Sequence, residues 1–508
     1  MTLPAPPLTH PLLSRRTSGV LLHITSLPGP HGSGDLGAPA RHFVDWLAAA
    51  GQSLWQILPL SPAGPGNSPY QSVSAFAGNP LLVDLDDLVH CGWLPWMAHQ
   101  GFDHHRCDFV RVAPHRMACL RKAWAGFSER ATDTDRAELA AFCTDHAHWL
   151  DDYALFMVLD ARHGGPWSGW PEPLAQRHPQ ALAEVRASAA TELGFWQFVQ
   201  WRFWVQWQRL RHHARAAGVH MVGDAPIFVA HHSADVWAHA GQFLLDDTQQ
   251  PAVVAGVPPD YFSTTGQRWG NPLYRWDAMA ASGHRWWKDR LAHLFKQVDM
   301  VRLDHFRGFD SYWEIPATEP TAMNGTWRRG PGLALFEAVQ AELGALAIVA
   351  EDLGDITPDV TRLRIDCGFP GMRILHFAFG GGADNPYLPH HFEPNTVAYT
   401  GTHDNDTTVG WWRHLPEAQR RAVRHYMGPG MDTEPHWTLI RSLSQSVAHT
   451  VVIPFQDVLG LDEHHRMNTP GVALGCWEWR FDWSQVDHTP AERLHAMAQA
   501  HGRLPPRP

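Results

Sequence analysis

The sequence predicts an α/β fold, a (β/α)8 TIM barrel with helical insertions between its strands. Three observations lead there. Eight apolar, β-rich runs recur along the chain, starting at Ser18, Ser53, Gly218, Val298, Ala345, Met372, Thr396 and Thr450. Buried strands of a parallel sheet read as such continuous runs. Segments of helical character separate most of them, which is the alternation of a parallel α/β protein. Four of the runs emerge on a carboxylate, Asp224, Asp304, Glu351 and Asp404, and a barrel carries its chemistry at the C-terminal ends of its strands.

Taken in order, residues 18–24 form the first strand. Beyond it Gly32, Gly34 and Gly37 match GxGxxG. That fingerprint needs its glycines directly after the strand and an acidic residue about 20 positions on. Here Pro28 and Pro30 intervene and the next strand closes on Pro59 and Leu60, so the segment reads as a rigid loop. A helix at 40–51 leads to the second strand, and residues 61–80 make a long loop of turn-forming residues that holds Tyr70 and Gln71. Long ordered loops are usually functional. Residues 85–210 read as a helical insertion. The third strand brings Asp224. Residues 250–275 read as a loop region, stiffened by Pro258 and Pro259, whose Asp260, Tyr261, Gln267 and Trp269 could project into a cleft. A helix at 284–297 precedes the strand that carries Arg302 and Asp304, and four more strands follow. The barrel is expected to span 18–484, between a flexible segment at 1–17 and a C-terminal helix with a Pro-rich tail at 485–508.

Composition bounds the function. A chain of 508 residues, 44% hydrophobic and 18% charged, is globular. A formal net charge of −11 argues against nucleic acid or an anionic membrane as partner. No apolar run approaches the roughly 18 residues of a membrane span, and residues 1–16 lack the apolar core of a signal peptide. Six cysteines without CxxC spacing read as free thiols of a reducing compartment, which places the protein in the cytoplasm. The 25 tryptophans offer flat faces on which sugar rings stack, although most of them serve a large core. The histidine doublets read as surface residues, and no HExxH is present.

The stretch 298–309 concentrates the chemistry. Arg302 and Asp304 stand at i and i+2, on the same side of a strand. A guanidinium there keeps the carboxylate ionised, lowering its pKa by roughly 1–3 units. Taken alone, the pair is either a structural ion pair or a nucleophile with its support. Four carboxylates on one rim repel one another unless cations or substrate chemistry justify them; Arg302, Arg307 and Arg466 are placed to offset them. Carboxylate sets without a metal motif fit glycosyl transfer, with carboxyl groups about 5–5.5 Å apart for retention and about 6.5–9.5 Å for inversion. The apolar approach Val349-Ala350 would keep Glu351 protonated as an acid, and Asp352 faces the other side of its strand as a structural group.

Several motifs carry a family resemblance. His23-Ile-Thr-Ser-Leu-Pro-Gly, Ser68-Pro-Tyr-Gln-Ser, Phe76-Ala-Gly-Asn-Pro, Gly223-Asp-Ala-Pro-Ile-Phe-Val, Gly256-Val-Pro-Pro-Asp-Tyr-Phe-Ser, Arg302-Leu-Asp-His-Phe-Arg-Gly, Ala350-Glu-Asp-Leu-Gly, Gly401-Thr-His-Asp and Arg466-Met-Asn resemble those of the amylomaltases, the 4-α-glucanotransferases or disproportionating enzymes. They run from about residue 20 to 480. The resemblance implies that Asp304 is the nucleophile, Glu351 the general acid and then base, and Asp404 the group that stabilises an oxocarbenium-like transition state. It implies that Arg302, Asp224 and His403 bind the reacting glucose, that the 250–275 region covers the substrate, with Tyr261 on a mobile loop over the glucan, and that Tyr70, Gln267, Trp269 and Asn468 contact substrate. Asn468 and Asp457 could equally serve as structural hydrogen-bonding groups. Cys476 departs from the family's usual Asn, and His464-His465 from its usual Glu-Ala.

The expected partners are maltooligosaccharides and α-1,4-glucans, with no nucleic acid, membrane or obligate protein partner, no metal and no organic cofactor. A hydrolase using the same carboxylates is the alternative, and a non-catalytic glucan-binding protein the third possibility.

Overall fold

Eight parallel strands close on themselves. In the computed structural model, which describes residues 10–98, 100–259 and 263–505, the strands in chain order are β1 (Thr17–Leu21), β2 (Leu54–Gln56), β3 (His220–Pro226), β4 (Val253–Val257), β5 (Gln267–Pro272), β6 (Met300–Asp304), β7 (Ser311–Pro316), β8 (Thr326–Arg329), β9 (Ile348–Ala350), β10 (Gly371–Ile374), β11 (Thr396–Tyr399) and β12 (Thr450–Pro454). The barrel runs β1-β12-β11-β10-β9-β6-β3-β2 and back to β1. Its strands are the eight apolar runs of the sequence. Several ladders are shorter than their runs: of 53–60 only Leu54–Gln56 is a strand, and the buried Ile57, Leu58 and Leu60 continue as irregular chain.

The barrel wall is apolar on both faces, with Val20, Val301, Leu303, Ile348 and Ala398 all fully buried. Where β1 passes β2, a Cβ on Gly19 would sit 2.4 Å from the Leu54 Cβ, so only glycine permits that approach. Between β2 and β3 lie the helices Phe109–Arg130, Asp133–His163 and Ala190–Ala216, with shorter ones among them. Tryptophan fills the core here as well as in the barrel: Trp55, Trp167, Trp207, Trp237 and Trp287 are fully buried.

Two expectations need correction. The region 250–275 is not merely a loop. Strands β4 and β5 lie within it and join β7 and β8 in a four-stranded antiparallel sheet of order β5-β4-β7-β8. An antiparallel sheet can keep one face in water; Thr326–Arg329 is exposed along its whole length, so that strand shows no apolar run. Residues 10–17, expected to be flexible, are packed. Leu13 is buried, and Arg16 donates to the carbonyls of Ser444, Ser446 and His501. At the other end Arg503, fully buried after helix Thr489–Ala500, donates to the carbonyls of Thr17, Ser444 and His449, among others. Both arginines therefore tie the chain ends to the β1–β12 seam.

Candidate active site

Strand register brings the acidic residues together. In the parallel pair β3–β6, Asp224 lies opposite Arg302, so the two side chains stand side by side. Arg302 Nη1 reaches both oxygens of Asp224 at 2.9 Å, and its Nη2 reaches Asp304 Oδ1 at 2.9 Å. The Asp224 side chain is completely buried, whereas that of Asp304 is 30% exposed. One guanidinium thus serves a buried carboxylate and one that opens on the cleft. Burial raises the pKa of Asp224, with the Arg302 charge opposing. Tyr70 Oη donates to Asp224 Oδ2 at 2.8 Å.

In the pair β6–β9, Leu303 lies opposite Ala350. The next residues along each strand are Asp304 and Glu351, so these two fall in line on adjoining strands. Glu351 is gripped by backbone: the His305 N–H donates to Oε2 at 2.6 Å and the Leu353 N–H to Oε1 at 2.9 Å. His305 sits in the left-handed region, φ 51°, which turns its N–H onto that carboxylate. Such a conformation is uncommon for a residue other than glycine and concentrates at functional sites. Burial pushes the Glu351 carboxyl up to about 7; the Arg302 charge opposes this and that of Asp304 adds to it. Asp304 and Glu351 therefore meet in different environments, one half-open beside a cation and one buried.

Asp404 does not lie at a strand end. It follows β11 by several residues, in a turn clamped from residues 466–468. Asn468 Nδ2 donates to Asp404 Oδ1 at 2.7 Å, Arg466 Nη2 donates to the Asp404 carbonyl at 2.9 Å, and the Asn468 N–H donates to the His403 carbonyl. His403 Nε2 lies 3.3 Å from Asp404 Oδ1, and its ring stacks on Tyr70 at 5.3 Å between centroids.

The aromatic walls come from elsewhere. Trp269 stands edge-on to His305 at 4.8 Å and donates to Gln267 Oε1 at 3.1 Å, so the antiparallel sheet reaches the backbone turn that holds Glu351. Trp477 was not singled out from sequence. Its ring lies 5.8 Å from both Tyr70 and His403, with φ 68°. The run Trp477-Glu-Trp-Arg480 was the available signal; the unusual backbone was not visible. Tyr261, and Asp260 beside it, lie outside the described residues.

Other sequence candidates are structural. Asp457 accepts from Thr400, from the Thr408 hydroxyl and from the Thr408 N–H. Asp352 accepts the Met372 N–H and pairs with Arg364. Cys476, in the place of the usual Asn, has its Sγ 3.4 Å from the Thr469 N–H and closes the same short loop. Among the described residues no cluster of His, Cys, Asp and Glu stands ready to hold a metal, and no helix is long and apolar enough to cross a membrane.

The model of the 4-alpha-glucanotransferase family matches residues 22–485. The chain belongs to the 4-α-glucanotransferase family. It is 48% identical to the 4-alpha-glucanotransferase of Thermus thermophilus over 96% of this chain and 99% of that protein. It is 46% identical to that of Synechocystis, over 97% and 99%. Among solved structures it resembles the amylomaltase from Streptococcus agalactiae in complex with acarbose, with a TM-score of 0.93 and 36% identity over 96% of this chain and the whole of that one. The protein is thus a 4-α-glucanotransferase acting on α-glucans, and these matches favour transfer over hydrolysis. The acidic cluster at the barrel mouth is the candidate active site of this 4-α-glucanotransferase.

Proposed function

We propose that the enzyme moves segments of α-1,4-glucan between maltooligosaccharides or starch-like glucans by retaining double displacement, with Asp304 as nucleophile. The observation that carries this is the alignment of Asp304 with Glu351 on adjoining parallel strands, with Arg302 bridging Asp304 and Asp224. Neighbouring strands lie about 4.8 Å apart, and a retaining pair of carboxyls lies about 5–5.5 Å apart, so the register supports retention.

In the first step the Asp304 carboxylate attacks the anomeric carbon while protonated Glu351 gives its proton to the departing glycosidic oxygen. A β-glycosyl ester on Asp304 results. In the second step the ionised Glu351 takes the proton from the 4-hydroxyl of an incoming glucan, which displaces Asp304. The raised pKa of Glu351 suits both halves, since a group titrating near about 7 gives and takes a proton with similar ease. Arg302 offsets the negative charge of its two carboxylate partners. Asp404, pinned by Asn468, grips sugar hydroxyls where positive charge develops, and Asp224, His403 and Tyr70 hold the reacting ring.

Trp269 and Gln267 on β5 would cover the bound glucan and limit the entry of water, which favours a sugar acceptor. Six free cysteines support a cytoplasmic enzyme. The test is the product ladder from maltotriose. Wild type should yield glucose and longer oligomers, and Asp304→Asn should yield neither. Glucose and maltose alone, or an unchanged ladder in the variant, would refute the assignment.

A further inference from the structure

A second cavity lies away from the barrel mouth, between helix Asp133–His163, the loop after β2, helix Ala234–Ala238 and the start of helix Arg285–Gln297. Its volume is about 90 Å³. That is room for about six to nine water molecules at roughly 10–15 Å³ each, the scale of one sugar ring and not of a chain. Phe76, Trp149 and Trp286 give it aromatic walls.

The polar groups of the wall select the ligand class. Most of its charges are already neutralised. Asp152 pairs with Arg177 at 2.6 Å, and Arg285 pairs with Asp289 and Glu342. What remains is Ser74, His148 and His239, the buried Asp235 carboxylate, of which Oδ2 accepts the Ala75 N–H at 2.8 Å, and two buried groups without hydrogen-bond partners, Gln242 Oε1 and Trp286 Nε1. Acceptors and a donor standing together beside aromatic faces suit a neutral ligand whose hydroxyls can both give and take hydrogen bonds.

We propose that this cavity is a binding site for a single pyranose, distinct from the catalytic cleft, and that free glucose occupies it. The choice of glucose rests on the transfer reaction, which releases it from maltotriose; the cavity itself asks only for a neutral sugar ring. The site is tied to the catalytic loop. The Ala234 N–H donates to the Val73 carbonyl at 2.8 Å, so its floor grips the chain three residues beyond Tyr70.

Equilibrium dialysis of radiolabelled glucose against the full chain tests this. Asp304→Asn, which does not turn over, should bind two glucose molecules per chain. Adding Ala238→Phe, which fills the cavity, should reduce the count to one, and adding Asp404→Ala instead should also leave one. Gln242→Leu, a milder change, should weaken the cavity site by about two- to tenfold, the worth of one hydrogen bond. Ala238→Phe in the otherwise native enzyme should keep its transferase activity, which reports that it folds. A single site that disappears with Asp404→Ala, or a count of two that neither Ala238→Phe nor Gln242→Leu alters, would overturn the proposal.

Discussion

Arg302 binds Asp224 through both carboxylate oxygens while its other terminal nitrogen holds one oxygen of Asp304. The pair Asp224–Arg302 is fully enclosed and Asp304 is not. The buried half therefore fixes the guanidinium, and the guanidinium fixes the carboxylate that opens on the cleft. Removing the cation would leave Asp224 buried without a counter-charge, a loss of about 3–5 kcal/mol for a broken buried pair. Arg302→Ala is expected to lower the denaturation midpoint as well as activity. Arg302→Lys, which keeps the charge but cannot reach three oxygens at once, should fold and still lose most of its kcat. Chemical denaturation and maltotriose kinetics on both variants check this.

In the proposed mechanism, Glu351→Gln cannot donate the proton that the leaving oxygen needs. General acid–base catalysis contributes roughly 10²–10⁴-fold, and kcat on maltotriose is expected to fall by about that factor. A leaving group that departs unprotonated, such as the fluoride of α-maltosyl fluoride, should restore the first step. The rate of fluoride release against that of maltotriose turnover measures the difference.

The alkaline limb of the pH profile should belong to Glu351. Its carboxyl titrates at about 7, raised mainly by burial, and only the protonated form starts the cycle. Below that value the acid is in place; as pH rises through it the acid is lost and kcat/KM falls. Arg302 opposes this shift and Asp304 enlarges it, so Asp304→Asn should lower the Glu351 titration point. Activity of the wild type between pH 5 and 9, and carboxyl titration by NMR in the variant, are the measurements.

Asn468→Ala should act through Asp404. The amide donates to Asp404 Oδ1 at 2.7 Å, and its loss frees a side chain that is 45% exposed. A hydrogen bond to a charged group contributes about 1.5–3 kcal/mol. Activity is expected to drop by one to two orders of magnitude, about what that energy implies, with little change in thermal midpoint, since the group is at the surface of the cleft.

Trp269→Ala should raise KM more than it lowers kcat. The indole leans on His305, whose N–H holds Glu351, and it also presents an apolar face to the cleft. Trp269→Phe keeps the contact with His305 but lacks the N–H that reaches Gln267. It should retain most of kcat, which steady-state kinetics on a maltooligosaccharide series would report.

The barrel was legible because parallel strands buried on both faces leave continuous apolar runs, such as 345–350 and 450–453. Asp304 and Glu351 were legible for the same reason, each standing where such a run ends. The β4–β5–β7–β8 sheet was hidden. Two of its strands carry exposed residues, Gln267 and Arg268 on β5 and Arg328 and Arg329 on β8, which break any run. Asp404 was found by motif although it lies beyond its strand, and what holds it there, the 466–468 segment, is a long-range contact that no local pattern reports. The same is true of the register that sets Asp224 beside Arg302. Trp477 was missed because its place depends on a left-handed backbone that composition does not encode.

The seam between β1 and β12, with Arg16 and Arg503 fastened across the chain ends, has a consequence for biogenesis. The first barrel strand finds its second neighbour only after the last has left the ribosome. At about 5–20 residues per second, synthesis of the chain takes on the order of half a minute or more. Throughout that time the nascent Thr17–Leu21 segment offers an open β edge, the kind of surface that invites wrong pairing. A chaperone able to shield such an edge should therefore raise the yield of native enzyme far more during translation than during refolding of the finished chain.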